Sequence, residues 1–207
     1  MLHIGVFASG KGSNVRAILG AIATGAIPNA QVVLVLSNNS DAGVLALARE
    51  HRIPALHIAR RQFASDNAFN RSLLEVLENH GANFIVLAGY IKKIDPIIIH
   101  SFRNRILNIH PALLPEFGGP GMYGMRVHEA VIGKGSHVSG ATVHLVDEEY
   151  DHGAIVLQKT IDVDAHDTPE TLAARVLCIE HELYPEAIRL FAEDKVRIDG
   201  QRATILS

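Results

Sequence analysis

Short apolar runs alternate with longer segments of helical period through the first half of the chain. Residues 3–8 (His-Ile-Gly-Val-Phe-Ala) predict a buried strand, followed by a turn of glycine and serine. A helix is expected from about Asn14 to Thr24, with Val15, Ile18, Leu19 and Ile22 on one apolar stripe. Gln31-Val-Val-Leu-Val-Leu36 predicts a second buried strand, residues 42–50 a second helix, and residues 55–58 a short third strand. Ser65 and Asp66 can cap a helix that runs to about His80 and ends at Gly81. Residues 84–88 predict a fourth strand and residues 105–109 a fifth.

Runs this continuously apolar suit strands covered on both faces, as in a parallel sheet between helical layers. The second half differs. Ala141-Thr-Val-His-Leu-Val146 and Ile155-Val-Leu-Gln-Lys-Thr-Ile161 flank a short acidic loop and predict an antiparallel pair. Asp167-Thr168-Pro169-Glu170 is a helix start, with proline in the first turn, and the helix should reach toward Asp194 with a bend near Pro185. Residues 195–205 predict a small hairpin turning at Asp199-Gly200. The expected fold is α/β, doubly wound and mostly parallel, with a late antiparallel pair and a long C-terminal helix. One domain over residues 1–207 is expected, as halves 1–100 and 101–194 with a terminal hairpin at 195–207.

Composition narrows the function classes. Hydrophobic residues are 48% of the 207 and charged residues 20%, enough apolar material for a real core. The formal net charge of -3 gives no pull toward nucleic acid or anionic membrane. No run of about 18 apolar residues is present to span a bilayer, and the first residues read as a core strand rather than a signal peptide. The expected setting is therefore cytoplasmic. The one cysteine, Cys178, excludes an intramolecular disulfide and is expected to be a small buried hydrophobe.

Two segments carry candidate chemistry. Ser9-Gly10-Lys11-Gly12-Ser13-Asn14 lies between a strand and a helix, where backbone amides and a helix N-terminus bind anions. It fails the nucleotide P-loop, because Gly12 follows Lys11, and the dinucleotide fingerprint, because Val15 replaces its third glycine. A tight turn with a helix cap uses the same residues, so both readings stand. In the fifth strand, alternation puts Asn108 and His110 on one face and Ile109 on the other. Both polar residues lie near the carboxyl end, where ligands bind in open α/β sheets. An amide beside an imidazole suits proton transfer and oxyanion stabilisation; a strand-end turn could use the same pair. Asp151, in the acidic loop, would raise the His110 pKa if it came near. His144 shares a face with Thr142 close to this region.

Taken together, Ser9–Asn14, Leu87-Ala88-Gly89-Tyr90, Asn108-Ile109-His110-Pro111-Ala112-Leu113-Leu114-Pro115 and Asp151-His152-Gly153 resemble the folate-dependent phosphoribosylglycinamide formyltransferases over nearly the whole chain. The resemblance implies transfer of a formyl group from 10-formyltetrahydrofolate to the amine of glycinamide ribonucleotide, without a metal. It implies that Asn108 and protonated His110 stabilise the oxyanion, and that Asp151 raises the His110 pKa and manages the amine's proton. It further implies phosphate binding by Gly12, Ser13 and Asn14, ribose binding by Glu180, and a folate pocket at Ile91, Lys92, Lys93 and Ile94 together with Asn108. Small-molecule substrates and a monomer or homodimer are the implied partners.

His152, Asp66 and Pro120 depart from the family pattern, where a small residue, a basic folate-contacting residue and a lysine are common. A methionyl-tRNA formyltransferase normally carries a further C-terminal domain, and residues 195–207 are too few for one. A formyltetrahydrofolate hydrolase typically has an extra N-terminal domain, and a sugar-amine formyltransferase does not need the phosphate loop. A nucleotide-binding regulator would use residues 9–14 but gives Asn108, His110 and Asp151 no common purpose.

Overall fold

A computed structural model describes residues 1–206, and the chain divides into two compact units, one ending at Leu107 and the other starting at Asn108. The first unit holds strands β1 (Leu2–Phe7), β2 (Ala30–Ser37), β3 (Ala55–His57) and β4 (Phe84–Leu87), with β5 (Ile106–His110) beginning at its end. Helices α1 (Ser13–Ala23), α2 (Gly43–Glu50), α3 (Asp66–Asn79) and α4 (Pro96–Ser101) connect them, with a single 3-10 turn at Arg60–Gln62. The four strands lie in the order β3-β2-β1-β4, all parallel, and the Ile85 N–H donates to the Arg105 carbonyl at 2.8 Å where β5 begins. Connections leave β1 toward β2 on one side and reach β4 on the other. The carboxyl ends of β1 and β4 therefore form a topological switch point, the place where such sheets open a ligand crevice.

The apolar runs form the inner strands as expected. Ile4, Val6 and Phe7 of β1, Leu34 and Val35 of β2, and Ile85 and Val86 of β4 are completely buried. From α1, Val15 and Ile18 reach the same core. Ser65 caps α3 through the Ala68 N–H, as the Ser-Asp start indicated. Helix α4 was not foreseen from the apolar pattern. Its signal is the Asp95-Pro96 start: the Asp95 side chain accepts from the Ile97 N–H and Pro96 occupies the first turn.

The second unit contains the end of β5, helix α5 (Met125–Gly133), strands β6 (Val138–Leu145) and β7 (Ile155–Asp162), helix α6 (Pro169–Ala192) and the hairpin β8 (Val196–Asp199) with β9 (Arg202–Ile205). Strands β6 and β7 are antiparallel, and so are β8 and β9. Strand β6 starts three residues earlier than the Ala141 expected, because the exposed Val138 and the small Ser139 and Gly140 extend its pairing with β7. Helix α5 was also missed: it starts after Gly124 without a side-chain cap, so the usual start signal is absent. Cys178 contradicts its expectation. It is exposed on α6, since the apolar stripe of that helix runs through Leu172, Val176, Leu183 and Tyr184 instead.

Helix α6 continues through Pro185, whose missing N–H removes one bond to the preceding turn. Its start is reinforced reciprocally. The Thr168 hydroxyl accepts from the Thr171 N–H at 3.3 Å and the Thr171 hydroxyl accepts from the Thr168 N–H at 2.8 Å. Thr168→Ala should therefore cost about 1 kcal/mol. A thermal melt should show a midpoint lower by about 2–4 °C; an unchanged midpoint would mean that packing alone fixes this helix end.

Candidate functional site

The glycine turn of the first unit is built for close backbone approach. Gly12 adopts φ +85°, and a Cβ there would sit 2.8 Å from Val44 Cγ2, so the turn requires glycine. It is the N-cap of α1 and has no side chain to cap that end, so an anion placed there would meet the amide end of the helix. Ser9 ties this turn to the segment after β4: its N–H donates to the Gly89 carbonyl at 3.1 Å, and its hydroxyl accepts from the Ile91 N–H at 3.1 Å. The same hydroxyl donates to Asn38 at 2.5 Å.

Beside these loops lies a cavity of about 610 Å³ whose lining includes Asn38, Arg60, Arg61, Asp66, Tyr90 and Lys92, with Lys93 and Ile94 alongside. Of the four residues expected to form a folate pocket, Lys92, Lys93 and Ile94 line this cavity, while Ile91 does not and is 54% exposed. Asp66 faces the same cavity and pairs with Arg60. Arg60, Arg61 and Asn38 belong to no sequence motif. Their signal was position: each follows the carboxyl end of a strand, Asn38 after β2 and the arginines after β3.

The second unit gathers Asn108, His110, His144 and Asp151. Strand alternation holds as expected in β5, with His110 3% exposed. The chain after His110 curls back so that the Phe117 carbonyl accepts from His110 Nε2 at 2.8 Å. That curl is fixed by Thr142 of β6, whose hydroxyl donates to the Ala112 carbonyl at 2.7 Å and accepts from the Leu114 N–H at 3.1 Å. A carbonyl can only accept, so the neutral His110 ring carries its proton on Nε2 and turns the Nδ1 lone pair toward Asp151 Oδ1, 3.6 Å away.

Asp151 Oδ1 lies at the same 3.6 Å from His144 Nε2, and Oδ2 accepts from the Gly119 N–H at 2.9 Å. His144 donates from Nδ1 to the Leu145 carbonyl at 2.8 Å; its Nε2 then accepts from the Asn108 amide at 3.0 Å. One N–H of that amide is thereby fixed, and the second remains to donate toward a reacting oxygen. His144 was singled out by alternation alone, and it is the link between Asn108 and Asp151. The Phe117 carbonyl and Gly119 N–H were missed because backbone groups leave no motif.

The charge states differ from expectation in one respect. Asp151 does attract a proton onto His110, and the Phe117 carbonyl helps, but burial outweighs both and leaves the His110 pKa below its usual 6.5. The imidazole therefore rests neutral near pH 7. Burial pushes the Asp151 carboxyl up, yet His144, the charge of a protonated His110 and the Gly119 N–H together hold it below the ordinary range, so it stays ionised. His128 on α5, also buried, is lowered by burial and by His110. Glu180, the expected ribose ligand, is buried on α6 at 9% exposure.

Sequence and fold comparisons show what the chain is similar to. The family model described as formyl transferase matches residues 2–188. The phosphoribosylglycinamide formyltransferase of Haemophilus influenzae is 36% identical over 203 residues, covering 98% of this chain and 93% of the relative. The chloroplastic enzyme of the same name from Arabidopsis thaliana is 45% identical over 195 residues, covering 94% of this chain. The chain spans 66% of that plant relative and 64% of the one from Vigna unguiculata, about two thirds of their length. The crystal structure of glycinamide ribonucleotide transformylase 1 from Symbiobacterium toebii superposes with a TM-score of 0.94 at 42% identity, covering 100% of this chain and 95% of that one. On the extent of the family match and these identities, the chain belongs to the formyl transferase family.

Proposed function

We propose that this protein transfers the formyl group of 10-formyltetrahydrofolate to the amine of glycinamide ribonucleotide, giving formylglycinamide ribonucleotide and tetrahydrofolate. The observation that carries this reading is the buried cluster in which His110 and His144 both face Asp151 Oδ1 and Asn108 bonds to His144. Family membership and the phosphate-ready turn at Gly12, Ser13 and Asn14 support the choice of acceptor. Glu180 would hold the ribose, and Lys92, Lys93 and Ile94 would take the folate. The reading takes both substrates as small molecules acted on in the cytoplasm by a monomer or homodimer, without nucleic-acid or membrane partners.

The chemistry moves one proton. The acceptor nitrogen bonds to the formyl carbon, and the negative charge that develops on the formyl oxygen meets the second N–H of Asn108. The nitrogen then carries one proton too many, which ionised Asp151 takes up through water and relays to His110 Nδ1. The growing oxyanion favours this protonation, so a resting neutral His110 becomes cationic when that charge is needed. From Nδ1 the proton passes to the folate nitrogen as its bond to the formyl carbon breaks. The two protonation steps balance, and both start and end with neutral His110.

Three outcomes check this account. Tetrahydrofolate should be released only when both substrates are present; release without the amine would point to a hydrolase. His110→Ala should lower kcat by roughly 10²–10⁴-fold while calorimetry still detects ribonucleotide binding, and an unchanged kcat would sink the mechanism. The pH profile of kcat/KM carries the third. His110 must be neutral to accept the proton, so activity should fall as pH drops through its depressed pKa, below 6.5. Asp151→Asn removes the attraction that raises that pKa, so the acid limb should move to still lower pH as kcat falls. Movement of the limb to higher pH would contradict the assignment.

A further inference from the structure

The loop that carries Asp151 is held by a second carboxylate with no part in the chemistry above. Asp151 sits at φ +54°, a left-handed conformation that aspartate adopts more readily than most residues with a side chain. The loop is pinched at its far end, where a Cβ on Gly153 would fall 1.9 Å from the Leu145 carbonyl oxygen and the Leu145 N–H donates to the Ala154 carbonyl at 2.9 Å. Between these points, Asp147 gathers three donors. Its Oδ1 accepts from the Glu149 N–H at 2.9 Å, and its Oδ2 accepts from His152 Nδ1 at 2.9 Å and from Gln201 Nε2 at 3.2 Å. Gln201 belongs to the turn of the β8–β9 hairpin, so that hairpin is bonded to the loop that carries Asp151.

From this arrangement we infer that Asp147, with His152 and Gln201, is a positioning group that fixes the Asp151 carboxylate against His110 and His144. The inference rests on the formyl-transfer reading of Asp151. The residues flanking Asp151 make the mechanics clear. His152 follows it directly in the chain, so drawing the His152 ring to Asp147 folds the backbone over and turns the Asp151 side chain to the opposite side, where the Gly119 N–H meets its Oδ2 at 2.9 Å. Glu149 is bound through its backbone, closing the loop on itself ahead of Tyr150.

The staple is sensitive to pH. The groups facing the exposed His152 ring are Asp147 and Glu149, both acidic, and their charges raise its pKa above 6.5. Partial burial pushes the Asp147 carboxyl up, but its donors outweigh this and keep it ionised. A group whose folded pKa is raised contributes its stabilisation below the unfolded value and loses it as pH rises through the folded value. The loop should thus be held more firmly at pH 6 than at pH 8, though the Gln201 and Glu149 bonds persist at both.

The test measures geometry and turnover separately. Amide exchange at Gly119 reports whether Asp151 stays in place, and it needs no substrate. Asp147→Ala should speed that exchange by roughly tenfold and lower kcat by a similar factor while KM for the ribonucleotide changes little, since a small displacement of a catalytic group is enough. Asp147→Asn keeps an acceptor for Glu149 and can donate to a neutral His152. It should recover activity at pH 8 and fail at pH 6, a pattern that a merely structural role would not produce. If Asp147→Ala does not fold, His152→Ala and Gln201→Ala each remove one donor and are read in the same way. Faster exchange with unchanged kcat, or lower kcat with unchanged exchange, would overturn the inference. If the parent protein shows no formyl transfer, that reading fails by itself, while the Gly119 exchange still decides whether Asp147 positions Asp151.

Discussion

One carboxylate oxygen organises the second unit. Asp151 Oδ1 stands 3.6 Å from His110 Nδ1 and 3.6 Å from His144 Nε2, beneath a loop that leaves the Asp151 side chain 11% exposed. An ionised carboxylate in that position needs compensation. The compensation comes from the Gly119 N–H on its other oxygen, and protonation of His110 Nδ1 would add to it, since both imidazole nitrogens that face Oδ1 are unprotonated at rest. Each imidazole is fixed in turn by a backbone carbonyl, Phe117 for His110 and Leu145 for His144. Those two carbonyls decide which ring nitrogen carries the resting proton, and hence which one can exchange it. The chemistry depends on this choice more than on the presence of any single residue.

Two opposing influences act on His110, and their balance gives it its role. Attraction by Asp151 favours an imidazolium, and burial makes protonation costly. Burial is the larger at rest, so the ring stays neutral until a new negative charge appears beside it. A histidine of this kind responds to the charge it must stabilise. In the first unit, the glycine turn works by a different principle: Gly12 lets the chain turn into the N-terminus of α1 at the mouth of a parallel sheet, where a helix end favours an anion.

Much of this was legible in the sequence where local rules apply. Buried parallel strands show as unbroken apolar runs, and the period of two in β5 put Asn108 and His110 on one face without further information. The same rule marked His144. What resisted was set by tertiary context. Helix α5 has no cap to announce it, and Cys178 lies among apolar residues yet on the outer face of α6. The His110 pKa was expected to rise because the sequence names the attracting carboxylate but not the burial that outweighs it. Asp151 entered through family resemblance, since the 40 intervening residues between His110 and Asp151 carry no local signal of contact. Arg60 and Asn38 were visible only once strand order showed which loops share an edge of the sheet.

The central claim is that His110 rests neutral, with its proton on Nε2, despite the carboxylate beside Nδ1. Nitrogen-15 NMR of the imidazole across a pH titration of the substrate-free protein tests this directly, because the two ring nitrogens have distinct shifts in each tautomer. The account predicts an Nε2–H tautomer above pH 6.5 and a midpoint below that value. An Nδ1–H tautomer, or a midpoint above 6.5, would contradict it.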